Sequence, residues 1–312
     1  MTTGHTWIVA ALFVLCLSAA CGKRVLNGDR KGVSHGSAPP APAWWVSEPR
    51  LVRAVFPGGE RTEEITYWKN AEGMEFVWIV PGEFTMGGDP LPDEARLAEY
   101  IDWDRTTHPK HRVRLTVGFF MSATEVTQAQ WEQVMGSNPS WEKMGGDLPV
   151  DSVSWNDVSE FCSRLTAQEG IKYDLPREAE WEYACRAGTN TPFNTGGSIS
   201  TKQANYDGRD TYRGREKGVN RMRAMPVKSF LPNRWGLYDM HGNLIEWCAD
   251  YYAKYPRESR EDPVGPPDGK SRVLRSGAYN CPPWYCRSSH RLWAAEDASL
   301  DTYGCRIVVR IE

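Results

Sequence analysis

The 312-residue sequence lacks several features that define common protein classes. Its formal net charge is only −3, so no basic excess indicates nucleic acid or an acidic membrane surface as a partner. It has only six histidines, which form no zinc-binding pattern. It has no nucleophile elbow, phosphate-binding glycine loop, HExxH motif or repeat of fixed period. These absences argue against α/β-hydrolases, P-loop NTPases, zinc proteases and solenoid proteins.

Long apolar runs are scarce as well, and the one present lies at the start. Residues 7–20 (WIVAALFVLCLSAA) are too short to span a bilayer comfortably and have the length of a signal-peptide core. The run leads into SAAC at residues 18–21, a pattern similar to a bacterial lipobox. We therefore predict a signal peptide over residues 1–21 with lipidation at Cys21. Ordinary secretion or a short membrane anchor remain alternatives, and each places the protein in the periplasm or cell envelope.

The remaining chain divides by composition. Residues 22–43 contain little apolar content and end in proline and alanine, which indicates a flexible linker. Residues 44–73 form an N-terminal extension, and residues 74–312 have the content of one globular domain. The 14 tryptophans, 28 glycines and 21 prolines favour a loop-rich fold that large aromatic side chains hold together.

Helix and strand signals predict a mixed α+β domain with much irregular backbone. Three helices are expected: one from a capping box at Thr127 to Gly136, one from Ser154 to Gly170, and one that begins near Pro176 and ends before Gly188. Strands are expected at residues 74–80, 112–119, 272–275 and 307–311. Residues 189–233 are polar and aperiodic, and a loop of that length needs something to hold it, often a metal ion.

The cysteines carry the strongest chemical signal. Export would favour disulfides, and six cysteines lie beyond the signal peptide and lipobox: Cys162, Cys185, Cys248, Cys281, Cys286 and Cys305. Six cysteines allow 15 pairings, among which the sequence cannot choose. Cys281 and Cys286 lie five positions apart with two prolines between them. This pair fits a disulfide, a metal site or two buried thiols.

Six short motifs in the chain are distinctive enough to compare with known families. They read PGEFTMG at residues 81–87, EVT at 125–127, PVDSVSW at 149–155, LPREAEWE at 175–182, GLYDMHGNLIEW at 236–247 and GCR at 304–306. In this order they resemble the formylglycine-generating enzyme family, also called the sulfatase-modifying factor family, over about residues 74–311. The resemblance implies a single compact α+β domain related to the C-type lectin fold, with little regular secondary structure.

The resemblance also implies an activity. In oxidases of this family two cysteines at this spacing bind Cu(I), and Cys281 and Cys286 match them; soft thiolates favour this ion. The implied reaction is the copper- and O₂-dependent conversion of a cysteine in a protein or peptide substrate to formylglycine, by a monomeric enzyme. Ala278 departs from the pattern, because the oxidases have a serine there. A Cys281–Cys286 disulfide in a non-catalytic binding module, or a copper-independent oxidative maturase, are alternative interpretations.

Two calcium sites are implied by the same resemblance. The first would use Asp239, the carbonyls of Gly242 and Leu244, and Glu246, which offer the hard oxygen ligands that Ca²⁺ prefers; a hydrogen-bonded turn is the alternative. The second would use Asn205 and the Tyr206 carbonyl, but the aspartate expected to complete it is missing.

The family's other cysteine pairings are matched only in part. Cys305 lies two residues before the expected partner of Cys162. Arg291 occupies the place of the expected partner of Cys185, and Cys248 stays unassigned.

Overall fold

A long antiparallel hairpin opens the fold in the computed structural model, which describes residues 41–88 and 105–311. Strands β1 (Val46–Phe56) and β2 (Gly59–Lys69) pair over their whole length, and β2 continues onto β3 (Glu75–Ile79). The predicted N-terminal extension therefore supplies two strands of a larger sheet. The predicted signal peptide, Cys21 and most of the predicted linker lie outside the described residues.

The main sheet has six strands in the order β1-β2-β3-β6-β13-β7. Its remaining members are β6 (Phe119–Ser122), β13 (Val308–Arg310) and the short β7 (Tyr173–Asp174). The last described strand, β13, thus lies between β6 and β7 and pairs antiparallel with both. The strands expected at residues 74–80 and 307–311 correspond to β3 and β13.

The other strands form two smaller sheets. One has the order β4-β5-β9 and contains β4 (Gly82–Met86), β5 (His111–Leu115) and β9 (Arg260–Glu261). The other has the order β11-β10-β8-β12 and contains β11 (Leu292–Ala294), β10 (Arg272–Arg275), β8 (Ile245–Tyr251) and β12 (Tyr303–Gly304). The strand expected at 272–275 is β10.

The prediction of a single strand over residues 112–119 is wrong. The chain forms two strands there, β5 and β6, and they belong to different sheets. The break includes Gly118, where a Cβ would lie 2.7 Å from the carbonyl oxygen of Ile79. Close backbone approach at this glycine accompanies the change of sheet, and an apolar run alone does not reveal such a change.

The first two helices begin and end where their caps predict. Helix α1 (Gln128–Met135) has a complete capping box at Thr127 and a left-handed Gly136 after it. Helix α2 (Trp155–Glu169) has a capping box between Ser154 and Asp157 and ends at a left-handed Gly170. The predicted apolar stripe of α2 is buried: Val158, Phe161, Cys162 and Leu165.

The third helix, α3 (Glu178–Arg186), is buried on every side rather than on one face. It ends at Ala187, a left-handed residue with φ of 44°, one position before the predicted Gly188. It packs against β4, β8 and β10, so its charged side chains lie in the protein interior. Such charges require partners, and Arg275 and Arg291 form ion pairs with Glu182 and Glu178 of α3.

The long segment at residues 189–233 contains no α-helix or strand, as predicted. A small apolar cluster of its own holds it in place: Phe193, Ile199, Ala204, Tyr206 and Tyr212, which pack with Trp284 and Cys286. This cluster brings the segment against the cysteine loop. Among the described residues, no helix combines the length and apolarity needed to cross a membrane.

We predict that Ser154→Ala lowers the free energy of unfolding by about 1 kcal/mol, because the Ser154 hydroxyl accepts a hydrogen bond from the amide of Asp157 at the start of α2. Urea unfolding measures this change. Ser163→Ala, at an exposed position of the same helix, is the control and should change the free energy of unfolding by no more than about 0.5 kcal/mol. Equal losses in both variants would contradict the capping role.

Candidate functional site

The two predicted copper ligands lie on one loop that follows β10. The 3-10 helix Pro283–Cys286 ends at the second cysteine and has Pro282 as its N-cap, so prolines restrict the backbone between the two. The amide of Cys281 donates to the carbonyl of Ala278 at 2.9 Å, and its own carbonyl accepts from the amide of Asp207 at 2.9 Å. The loop is therefore fixed at its first cysteine by backbone hydrogen bonds on both sides of the residue.

The two thiols differ in exposure. Cys281 is half-buried, whereas Cys286 is fully buried, and both are free thiols in the structure. Two left-handed glycines make room for the Cys286 sulfur. A Cβ at Gly277 would lie 2.8 Å from that sulfur, and one at Gly242 would lie 3.5 Å from it. The sulfur thus lies in a close-fitting cradle, with the half-exposed Cys281 toward the surface.

Burial keeps both thiols protonated near neutral pH. It raises the pKa of Cys281 to about 11. It also raises the pKa of Cys286 well above its usual value, and the neighbouring Cys281 raises it further. No cation is among the causes of either shift, so the pair does not match the electropositive surroundings of a reactive thiolate. A soft metal ion would instead displace the protons on binding.

His241 stabilises the cysteine loop through a hydrogen bond to Cys286, and the sequence analysis did not predict this role. Its Nε2 accepts a hydrogen bond from the amide of Asn194 at 3.0 Å, which leaves Nδ1 to donate to the carbonyl of Cys286 at 2.8 Å. Burial lowers the pKa of His241 to about 4, so the ring is neutral. The sequence shows only a histidine within the GLYDMHGNLIEW motif, with no sign of its partners.

A groove lies beside the cysteine loop. A cavity of about 130 Å³ is lined by Tyr279, two residues before Cys281, together with Asp151, Asp301, Arg223, Trp141 and others. The indole of Trp141 is 80% exposed, although large apolar side chains are normally buried. The hydroxyl of Tyr279 donates to Asp301 at 3.4 Å. An exposed ring and polar groups that line the same cavity can receive a peptide segment.

Ala278, the position of the missing serine, is fully buried in the main apolar core. The groove therefore gains no polar contact from this position. The neighbouring Ser276 is also buried and exchanges two hydrogen bonds of 3.0 Å with the backbone of Gly242, so its hydroxyl is engaged as well.

The residues predicted for the first calcium site have other partners. Both oxygens of Glu246 accept hydrogen bonds from Arg306, each at 2.7 Å, and one also accepts from the indole of Trp181 at 2.5 Å. Asp239 accepts from the amide of Lys228 at 2.9 Å, and the Gly242 carbonyl from the Ser276 hydroxyl. An arginine that neutralises the only fully buried carboxylate of the set does not fit a cation site. These contacts match the alternative of a hydrogen-bonded turn.

Glu125 is another buried carboxylate, close to Asp239 and Glu246. The sequence analysis did not predict it as a site residue. It accepts from the amide of Leu244 at 3.0 Å and from the side chain of Asn243 at 2.9 Å. Burial, followed by repulsion from Asp239 and Glu246, raises its pKa well above the usual value. No group of three or more His, Cys, Asp or Glu side chains is arranged to hold a metal ion within residues 41–88 and 105–311.

The second predicted calcium site has one feature that fits a cation. The side-chain oxygen of Asn205 is buried and has no hydrogen-bond partner among the described residues. Its side-chain nitrogen donates to the carbonyl of Arg223 at 2.9 Å and to Asn243 at 3.0 Å, so the orientation of the amide is defined. A buried oxygen without a donor is costly unless a ligand completes it. The Tyr206 carbonyl adjoins it in the chain.

The other cysteines are buried free thiols. Cys162 and Cys305 belong to the same apolar core, and Cys162 contributes to the raised pKa of Cys305. The fold thus brings together the two residues that the resemblance relates. Cys185 lies beside His241, with its sulfur 3.8 Å from either ring nitrogen, while Cys248 lies in β8.

Comparison with known proteins agrees with the fold and the motifs. Residues 62–311 match the Sulfatase-modifying factor enzyme 1-like domain, so the chain belongs to this family. The match begins 12 residues before the predicted domain boundary at residue 74, within β2.

Among curated relatives, the formylglycine-generating enzyme of Bos taurus is 34% identical over 202 residues, which cover 56% of this chain and 50% of the relative. That of Streptomyces coelicolor is 36% identical over 168 residues, 51% of each chain. The chain thus spans about half the length of these relatives. The solved structure of PvdO from Pseudomonas aeruginosa is 25% identical with a TM-score of 0.62, covering 78% of this chain and 97% of that one. The predicted fold is confirmed.

We predict that Arg306→Met lowers the free energy of unfolding by about 3–5 kcal/mol, because it leaves Glu246 buried without its counter-ion. Urea unfolding followed by tryptophan fluorescence measures this. The double variant Arg306→Met/Glu246→Gln should recover part of the loss, since it removes the unpaired charge. Arg164→Met, which breaks an exposed pair with Glu160, is the control and should cost under about 1 kcal/mol. A small effect at Arg306 would contradict the analysis.

Proposed function

We propose that this protein is a copper- and oxygen-dependent oxidase that converts a cysteine of a protein or peptide substrate to formylglycine. The observation that carries the proposal is the pair of free thiols on one fixed loop, with Cys286 buried in a glycine cradle and Cys281 half-exposed beside a groove. The formylglycine-generating enzymes among its relatives support the same reaction class.

Cys281 and Cys286 would hold Cu(I), which two soft thiolates favour over harder ions. When bound, the ion supplies the one-electron chemistry with O₂ that no side chain provides. The chain itself fixes the ligand geometry through Pro282, the two glycines and His241. It also holds both thiols protonated until the metal binds, which limits their oxidation in the free protein.

The groove lined by Trp141, Tyr279 and Asp301 would position the substrate next to the half-exposed Cys281. An extended segment laid across an exposed aromatic ring buries apolar surface without requiring a deep pocket. Because Ala278 supplies no hydroxyl, orientation of the substrate would depend on the groove and on backbone groups of the loop. We further propose that the protein acts after export, anchored at Cys21, on exported clients that reach it unfolded.

A second candidate function is a binding module that uses the same groove without oxidation. The buried Ala278 favours it, because a polar group that the family's oxidases have is missing next to the cysteines. In that case Cys281 and Cys286 would form a structural disulfide when the protein is exported, and the exposed Trp141 would still contact a partner.

We predict that the purified described domain binds one Cu(I) tightly per chain, and that Cys281→Ser abolishes this binding because one thiolate ligand is lost. Titration against a Cu(I)-chelating dye, with free thiols counted before and after reduction, measures both. Cys248→Ala is the matched control, because it removes a buried thiol in β8 and should leave copper binding unchanged.

Loss of copper binding in Cys281→Ser but not in Cys248→Ala would justify oxygen-uptake assays with cysteine-containing peptides. An absence of copper binding, with Cys281 and Cys286 unreactive to thiol reagents until reduced, would overturn the oxidase proposal. It would favour the binding module.

We also propose that Ca²⁺ binds at Asn205 through its unpartnered side-chain oxygen and the Tyr206 carbonyl, where it would hold the segment at residues 189–233. The ion would be structural, because Ca²⁺ has no redox chemistry.

We therefore predict that Ca²⁺ raises the melting temperature relative to a chelator, by several degrees, and that Asn205→Ala removes this response. Differential scanning calorimetry of the two proteins tests it. Asn156→Ala, at an exposed position of α2, is the control and should keep the response. An equal melting temperature of the parent protein with Ca²⁺ and with chelator would contradict the site.

A further inference from the structure

A cavity of about 480 Å³ opens beside the start of α3, and it shares no residue with the cysteine loop or its groove. Its volume is within the range of small-ligand sites. Its lining combines the buried carboxylate of Asp250 with aromatic and apolar side chains and with further charged residues: Glu178, Arg291, Lys254, Arg260, Glu261 and Asp262. Nothing in the proposed oxidation uses this cavity.

Asp250, near the end of β8, supplies a buried carboxylate to the cavity wall and is only 5% exposed. Its Oδ2 accepts a hydrogen bond of 2.7 Å from the amide of Glu178, at the start of α3. None of the described residues donates to Oδ1. The backbone at Gly265 approaches closely, since a Cβ there would lie 3.0 Å from Oδ1. Oδ1 therefore has no hydrogen-bond donor among the described residues, and the missing Cβ of Gly265 leaves space beside it.

The charge of Asp250 has no counter-ion of its own. Glu178 beside it is paired with Arg291, whose Nε and Nη2 lie 2.5 Å and 2.7 Å from the two carboxylate oxygens. No cation of the described residues reaches ion-pair distance of Asp250. Burial, followed by repulsion from Glu178, raises the pKa of Asp250 to about 7. A buried carboxylate in this state gains most from an added positive charge.

The walls of the cavity are mainly apolar. Tyr251, Tyr255 and the loop with Pro263, Val264 and Pro266 surround the carboxylate. Val264 is 59% exposed and stands at the mouth. The other charged residues of the lining are the paired Glu178 and Arg291, the exposed Lys254, Arg260 and Glu261, and Asp262, which accepts a hydrogen bond from the amide of Thr116. Apolar and aromatic walls around one buried, unpaired carboxylate suit a ligand that has a single charged end and an apolar stem.

We propose that this cavity binds an organic cation, a primary ammonium or guanidinium group on an apolar stem, with the charged end on Asp250. The stem packs between the tyrosine rings and the proline-containing loop. The site is separate from the oxidation proposed above, and its test requires no copper.

Binding depends on pH in a defined direction. Only the ionised form of Asp250 attracts a cation, so affinity rises as the pH increases from 6 to 8. The other titratable or charged groups that face it or line the cavity are Glu178, Glu180, Arg291, His111, Tyr251, Tyr255, Lys254, Arg260, Glu261 and Asp262. Glu178 is already paired with Arg291, and Glu261 with Arg114, while Lys254 and Arg260 are exposed to solvent.

The test uses the full chain, free of copper, with butylamine, which is a monocation at these pH values, as the probe and 1-butanol as the uncharged comparator. Saturation-transfer NMR measures the dissociation constants at pH 6 and pH 8. We expect butylamine to bind more tightly at pH 8. Asp250→Asn keeps an oxygen for the Glu178 amide but should weaken butylamine binding at least about tenfold. Asp268→Asn, an exposed change in the same segment, is the control and should leave affinity unaltered.

Val264→Trp fills the mouth without touching the carboxylate, and it should also weaken butylamine binding. Unaltered affinity in Asp250→Asn, equal binding of butylamine and 1-butanol, or no binding at millimolar butylamine would each overturn the proposal. If Asp250→Asn fails to fold, Val264→Trp decides: unaltered affinity overturns the site, and weaker binding supports it.

Discussion

The buried ion pair between Glu246 and Arg306 is the interaction on which the rest of the structure depends. Arg306 donates to both oxygens of Glu246 and also to the carbonyls of Ser122 and Tyr238, while the indole of Trp181 donates to Glu246. A single charged centre thereby joins β8, β6, α3 and the loop before β8. Because an unpaired charge in the core is costly, arrangements that separate these elements are disfavoured.

That arrangement also positions the cysteine loop. The segment between Tyr238 and Glu246 is held by Arg306 at both ends, and it contains His241 and Gly242, which contact Cys286. The ion pair does not contact the thiols, but it fixes the position of the backbone against which Cys286 packs. Much of the domain is irregular, but side-chain hydrogen bonds to backbone groups make it a defined scaffold rather than a set of loose loops.

Local signals in the sequence predict local structure well. The caps at Thr127, Ser154 and Gly170 place the ends of α1 and α2, because capping depends on residues close together in the chain. Contacts between distant residues are not visible in the same way. The acidic motif near β8 fits a calcium loop as well as it fits a turn, and only the fold shows that Arg306, 60 positions later, neutralises Glu246. For the same reason, the cysteine spacing predicts a shared loop but not the burial of Cys286 or the support from His241.

The position of β13 has a consequence for how the protein is made. This strand lies between β6 and β7, yet it consists of residues 308–310. Arg306, which completes the central ion pair, precedes it by two residues. The earlier strands therefore remain without their sheet neighbour, and Glu246 without its partner, until nearly all of the described chain has been synthesised. Because these contacts join residues far apart in the sequence, we expect the domain to complete its fold only when residues 306–310 are available.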